Sequence, residues 1–104
     1  MKLFTLTANG DTEVGDTTGA GLHCHAAGTW GSGTLTLKIS PDAGTTKLAL
    51  RDSDGDVAWT TDEMVNFEVP AGYKLYLSLS GSSGADLDVY VGSTDSKLSG
   101  IAFA

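Results

Sequence analysis

The sequence predicts an all-β protein, an antiparallel β-sandwich of jelly-roll or immunoglobulin-like kind with about eight short strands. Three observations predict it. Apolar residues recur at every second position in run after run, the side-chain period of a strand, and helical periodicity is absent. Glycine- and proline-bearing turn sequences separate the runs at near-regular spacing. The composition, 40% hydrophobic and 18% charged with fourteen glycines and two prolines in 104 residues, suits one small folded domain with many tight turns. A small closed barrel is the alternative allowed by the same pattern.

The runs follow in order. Phe4 and Leu6 point inward from a weak strand over 2–7, and Leu22, Cys24 and Ala26 share one side of another over 22–27. Leu35, Leu37 and Ile39 oppose Thr34, Thr36 and Lys38. Leu48 and Leu50 alternate with Lys47 and Arg51, and Val57 and Trp59 keep the inward parity. Val65, Phe67 and Val69 oppose Met64, Asn66 and Glu68. Tyr73, Leu75, Leu77 and Leu79 oppose Lys74, Tyr76 and Ser78, and Leu87, Val89 and Val91 oppose Asp86, Asp88 and Tyr90. A last strand is expected from Leu98 to Phe103. Between these lie Ser40-Pro41-Asp42-Ala43-Gly44, the hairpin dipeptide Asp54-Gly55, Pro70-Ala71-Gly72 and Gly81-Ser82-Ser83-Gly84. Residues 8–21 are polar, glycine-rich and poor in apolar side chains, and read as an irregular edge segment or an arm that orders on a neighbour. With no internal repeat and no long linker, 1–104 reads as one domain.

Charge narrows the partners. Six Lys and Arg face thirteen Asp and Glu, a net charge of −7. The cations (Lys2, Lys38, Lys47, Arg51, Lys74 and Lys97) are scattered in sequence, so neither nucleic acid nor an anionic membrane is an expected partner. The acidity favours solubility and like-charge spacing between copies. Cys24 is the single cysteine, which excludes an internal disulfide. The run Met1–Thr7 is too short for a signal core or a membrane span, and the expectation is a chain made and kept in a cytoplasm unless something larger carries it out.

Candidate sites are few. Asp52-Ser53-Asp54-Gly55-Asp56, with Glu63 at the twelfth position, has the oxygen spacing of a Ca²⁺ loop, but Val57-Ala58-Trp59-Thr60 reads as strand where a helix is needed. An acidic hairpin tip is the preferred reading. His23-Cys24-His25 suggests a metal cluster, yet a strand sends Cys24 to the face opposite both histidines, and no second His/Cys cluster completes a zinc site within one chain. The same geometry denies Cys24 a neighbouring base. Asp86 and Asp88 share one strand face and read as solvated surface, and Asp62 and Glu63 as turn residues. Trp30, Trp59, Tyr76 and Tyr90 suggest a sugar-stacking platform. Parity places Trp59 in the core and Tyr76 and Tyr90 outside, where tyrosines also suit protein interfaces. No catalytic residue, cofactor or metal ligand is assigned.

Gly28-Thr29-Trp30-Gly31-Ser32-Gly33-Thr34 leads into a strand and then into Ser40-Pro41-Asp42-Ala43-Gly44-Thr45-Thr46. Val65-Asn66-Phe67-Glu68-Val69-Pro70-Ala71-Gly72 and the loop around Ser78-Leu79-Ser80-Gly81 follow. This order of landmarks resembles a pattern common in small β-sandwich structural proteins of tailed-bacteriophage virions, and covers roughly residues 26–92. One departure is Lys47, where that family often has an aromatic residue. The resemblance implies a non-enzymatic virion component, assembled in the host cytoplasm, that decorates or cements the capsid through contacts with the major capsid protein or other virion proteins. It further implies a homo-oligomer, expected as a dimer or trimer. Neck, fibre or tail accessories are the alternatives within the particle, and a carbohydrate- or Ca²⁺-binding module is the alternative of another class.

Overall fold

The structure, a computed structural model, describes residues 2–19, 21–52, 55–93 and 101–103. Alternation becomes pairing. The smaller sheet holds β1 (Lys2–Leu6), β11 (Asp86–Ser93), β3 (Gly21–Thr29) and β9 (Glu63–Glu68), in that order, all antiparallel. The larger sheet runs β12 (Ile101–Phe103), β2 (Gly10–Thr17), β10 (Lys74–Ser80), β4 (Thr34–Ser40) and β5 (Leu48–Ala49), with β8 (Ala58–Trp59) also on β4. A small hairpin, β6 (Arg51–Asp52) and β7 (Gly55–Asp56), stands off this edge. No helix occurs among the described residues.

The two short pieces β5 and β8 act as one broken edge strand on β4. β5 pairs with Lys38 and Ile39, and β8 with Leu35 and Thr36. Leu37 serves both halves: its N–H donates to the Val57 carbonyl at 3.0 Å and its carbonyl accepts the Leu50 N–H at 2.8 Å. Counted so, successive strands alternate between the sheets up to the edge strand, and their chain order reads 1-8-3-6 in one sheet and 2-7-4-5 in the other, with β12 added. That is jelly-roll connectivity, and among the described residues both sheets end in open edges rather than closing into a barrel.

The dry middle is what the parity predicts. Leu22, Leu35, Leu37, Leu75, Leu77 and Leu87 are fully buried, and Val14, Val89, Val91 and Cys24 fill in between. Burying so many branched side chains between two sheets is the main stabilising term.

Two expectations are corrected and one is narrowed. Residues 10–17 form an irregular edge strand and not an arm. They make β2, hydrogen-bonded to β10 throughout and to β12 over Gly15–Thr17, with the remainder of that edge open among the described residues. A register shift at Leu75/Tyr76 leaves Val14 as the extra residue, so Val14 and Gly15 are both buried and the alternation breaks. Tyr76 is buried, not exposed. The 41–47 loop folds over it, and Lys47 Nζ lies 4.3 Å from its ring centroid. Leu48 is 66% exposed, because β5 is the outermost strand of the larger sheet and faces a narrower one. The expected strand over 98–103 appears as β12, and Leu98 lies outside the described residues.

Candidate interaction face

The outer face of the smaller sheet carries one apolar row. Register places Leu3 opposite Tyr90, Tyr90 opposite His25, and His25 opposite Met64, so the row crosses all four strands. Leu3 is 45% exposed, Tyr90 39% and Met64 63%. They are three of the four exposed large hydrophobic residues described in the chain, the fourth being Leu48. The His25 and Tyr90 rings meet edge to face, with centroids 6.1 Å apart at 61°. His25 Nδ1 is enclosed and has no hydrogen-bond partner among the described residues.

Polar rows flank it. On one side Thr5, Asp88 and Ala27 line up, and Thr5 Oγ1 donates to Asp88 Oδ1 at 3.3 Å. On the other side Gly92, His23 and Asn66 line up, with His23 Nδ1 2.6 Å from Asn66 Oδ1. Asp86 and Glu68 lie further out. The described residues of β1, β11, β3 and β9 on this face include carboxylates and imidazoles but no Lys or Arg.

The glycine-rich landmarks prove to be scaffolding. Asp62 Oδ1 accepts the Trp30 indole N–H at 2.8 Å and the Gly28 N–H at 3.1 Å. These two bonds, the indole first, hold its carboxyl below the usual range. Gly31 has φ +57°, and a β-carbon there would run into the Ser83 carbonyl oxygen. Its own carbonyl accepts the Ser83 N–H at 2.9 Å, so the 28–33 turn is stitched to the 81–84 loop. In the second landmark, Ser40 Oγ accepts the Gly44 N–H at 2.8 Å and donates to Asp42 Oδ1, which in turn accepts the Thr46 N–H at 2.7 Å.

The remaining sequence candidates are dispersed. Cys24 is buried away from His23 and His25, and desolvation pushes its thiol up to about 12. Trp59 is in the core and Trp30 is half-buried against it. With Tyr76 covered, only Tyr90 of the four aromatics stands exposed, and no aromatic platform forms. Of the proposed Ca²⁺ ligands, Asp54 and the side chain of Asp52 lie outside the described residues, and Asp56 pairs with Arg51 at 3.6 Å. Among the described residues no three His, Cys, Asp or Glu side chains cluster as a metal site.

The face was half legible in sequence. Met64 and Tyr90 sit at positions whose parity is polar in the other strands, and that breach is the signal. Leu3 and His25 join them only through register. No family model, curated protein or solved structure matches the chain.

Proposed function

We propose that this chain is a non-enzymatic structural protein of a tailed-bacteriophage particle, decorating or cementing the capsid through contacts with the major capsid protein or other virion proteins. The observation that carries the proposal is the solvent-facing row Leu3–Tyr90–His25–Met64 on a rigid sheet. An apolar centre with a polar rim is the anatomy of a protein interface. The resemblance of 28–46 and 65–72 to virion proteins supports the context. Jelly-roll connectivity occurs in both capsid and lectin domains, so the lone exposed Tyr90 favours the protein partner over a sugar. Weak contacts suffice on a symmetric shell, because a dimer or trimer multiplies them.

Two measurements test this. Mass spectrometry of purified virions finds the chain, and its absence ends the reading. Purified protein rebinds to particles stripped of it, whereas Tyr90→Asp folds and fails to rebind. Rebinding by the variant at wild-type affinity removes the row from the proposal.

A further inference from the structure

The smaller sheet stops at β9, whose far edge pairs with no strand among the described residues. In an antiparallel ladder alternate residues direct their N–H and C=O groups to one side, so half of the β9 backbone looks outward unpaired. Beside that edge the two sheets part. Val65 and Phe67, the inward residues of β9, face Val57 and Trp59 across a cleft of about 320 Å³, with Asp56 and Glu63 at its rim. The outward residue Met64 ends the apolar row of the same sheet. One edge therefore joins an open backbone, an apolar cleft and the exposed face.

We infer that β9 accepts an extended, cationic polypeptide segment as a fifth strand. Its alternate apolar side chains enter the cleft between Trp59 and Phe67, and its Lys or Arg residues meet Glu63 and Glu68. Charge selects this occupant. No Lys or Arg lines the cleft, and among the described residues neither Glu63 nor Glu68 belongs to an ion pair, whereas Asp56 already has Arg51. A second copy is the natural competitor, and its charges disfavour it. Two β9 strands paired antiparallel about a two-fold axis bring Glu63 and Glu68 of both copies to one seam with no Lys or Arg in either strand, and each copy carries a net charge of −7, so like charges gathered across the ladder destabilise it. A cationic strand reverses both terms. Backbone pairing supplies affinity in such strand addition and the alternate pockets supply selectivity.

The inference goes beyond the virion reading and is tested on the isolated chain, so either can fail alone. The probe is the peptide acetyl-Lys-Val-Thr-Val-Thr-Lys-amide, which in antiparallel register sets its lysines against Glu68 and Glu63 and its valines against Phe67 and Val65. Its counterpart replaces both lysines with glutamates. With the lysine peptide at up to roughly 1 mM, NMR shows shifts at the 63–68 amides and the Trp59 indole, and alternate β9 amides gain protection from exchange. The exposed double variant Glu63→Lys/Glu68→Lys binds that peptide roughly three- to tenfold more weakly and gains affinity for the glutamate peptide. No shift at β9, equal binding of the two peptides, or shifts at Leu3 and Tyr90 with β9 unprotected overturns the inference. So does a peptide-free dimer by sedimentation in which β9 amides are protected.

Discussion

Lys47 is clamped between two partners: its Nζ sits 4.3 Å from the Tyr76 ring centroid and 2.8 Å from Asp11 Oδ2. The lysine belongs to the loop after β4, the tyrosine to β10 and the aspartate to β2, so one side chain ties a loop across the outer face of the larger sheet. The chain thus covers its own tyrosine with a cation. Tyr76→Ala then empties a buried outer-face site and costs about 2–4 kcal/mol, read as a lower urea midpoint. Lys47→Met lowers the thermal midpoint by less, because the methylene stem still covers the ring. Equal stability of Tyr76→Ala and wild type would show that the loop does not bury the ring.

The parity rule separates two leucines. Leu77 lies on the middle strand of the larger sheet and is fully buried, whereas Leu48 has inward parity but is 66% exposed on its margin. Leu77→Ala costs about 2–5 kcal/mol, and Leu48→Ala stays within about 0.5 kcal/mol. Chemical denaturation of the two variants checks this, and similar losses would mean that Leu48 is covered in solution.

That contrast shows what the sequence can and cannot specify. In β4, β10 and β11 the face is a local property, and reading every second residue finds the core at Leu35, Leu77 and Val89. Burial of Tyr76 is not local, because it depends on a loop that closes only when Ser40, Asp42 and Thr46 have made their bonds. β2 escapes the pattern for a different reason. Its bulge at Val14 breaks the period, and its last inward residue is Thr17, whose hydroxyl accepts the Tyr73 N–H at 3.0 Å and donates to the Pro70 carbonyl. The interaction row needs four strands in register before Leu3 and Met64 belong to one surface.

Asp62 gives stability a defined pH dependence. The Trp30 indole and, second, the Gly28 amide favour its ionised form in the folded state, so its pKa lies below the unfolded value of 3.8. A depressed carboxyl contributes stability that is complete above the unfolded pKa and is lost as pH falls through the folded one. Asp42 acts with the same sign, through the Thr46 amide first and then the Ser40 hydroxyl. Asp62→Ala is therefore less stable than wild type near neutrality, and the gap narrows as pH drops below about 4. Urea midpoints measured across that range check it, and a gap independent of pH would show that the carboxylate is not what the indole holds.

Cys24 titrates in the opposite direction. Burial raises its thiol from 9.0 to about 12, so the folded chain keeps the proton over a range in which the unfolded chain releases it. The unfolded state thus binds fewer protons as pH rises above 9.0, and folding stability falls through that window. By pH 10 this accounts for about 1 kcal/mol. Cys24→Ala leaves a small cavity near neutrality but loses this alkaline penalty, so the stability difference between variant and wild type shrinks from pH 8 toward pH 10. Thiolate supplies the nucleophile in labelling, and the buried thiol reacts with a disulfide reagent at pH 8 only as fast as the chain opens. Immediate labelling of native protein, or a stability difference that does not change with pH, would place Cys24 at the surface rather than between the sheets.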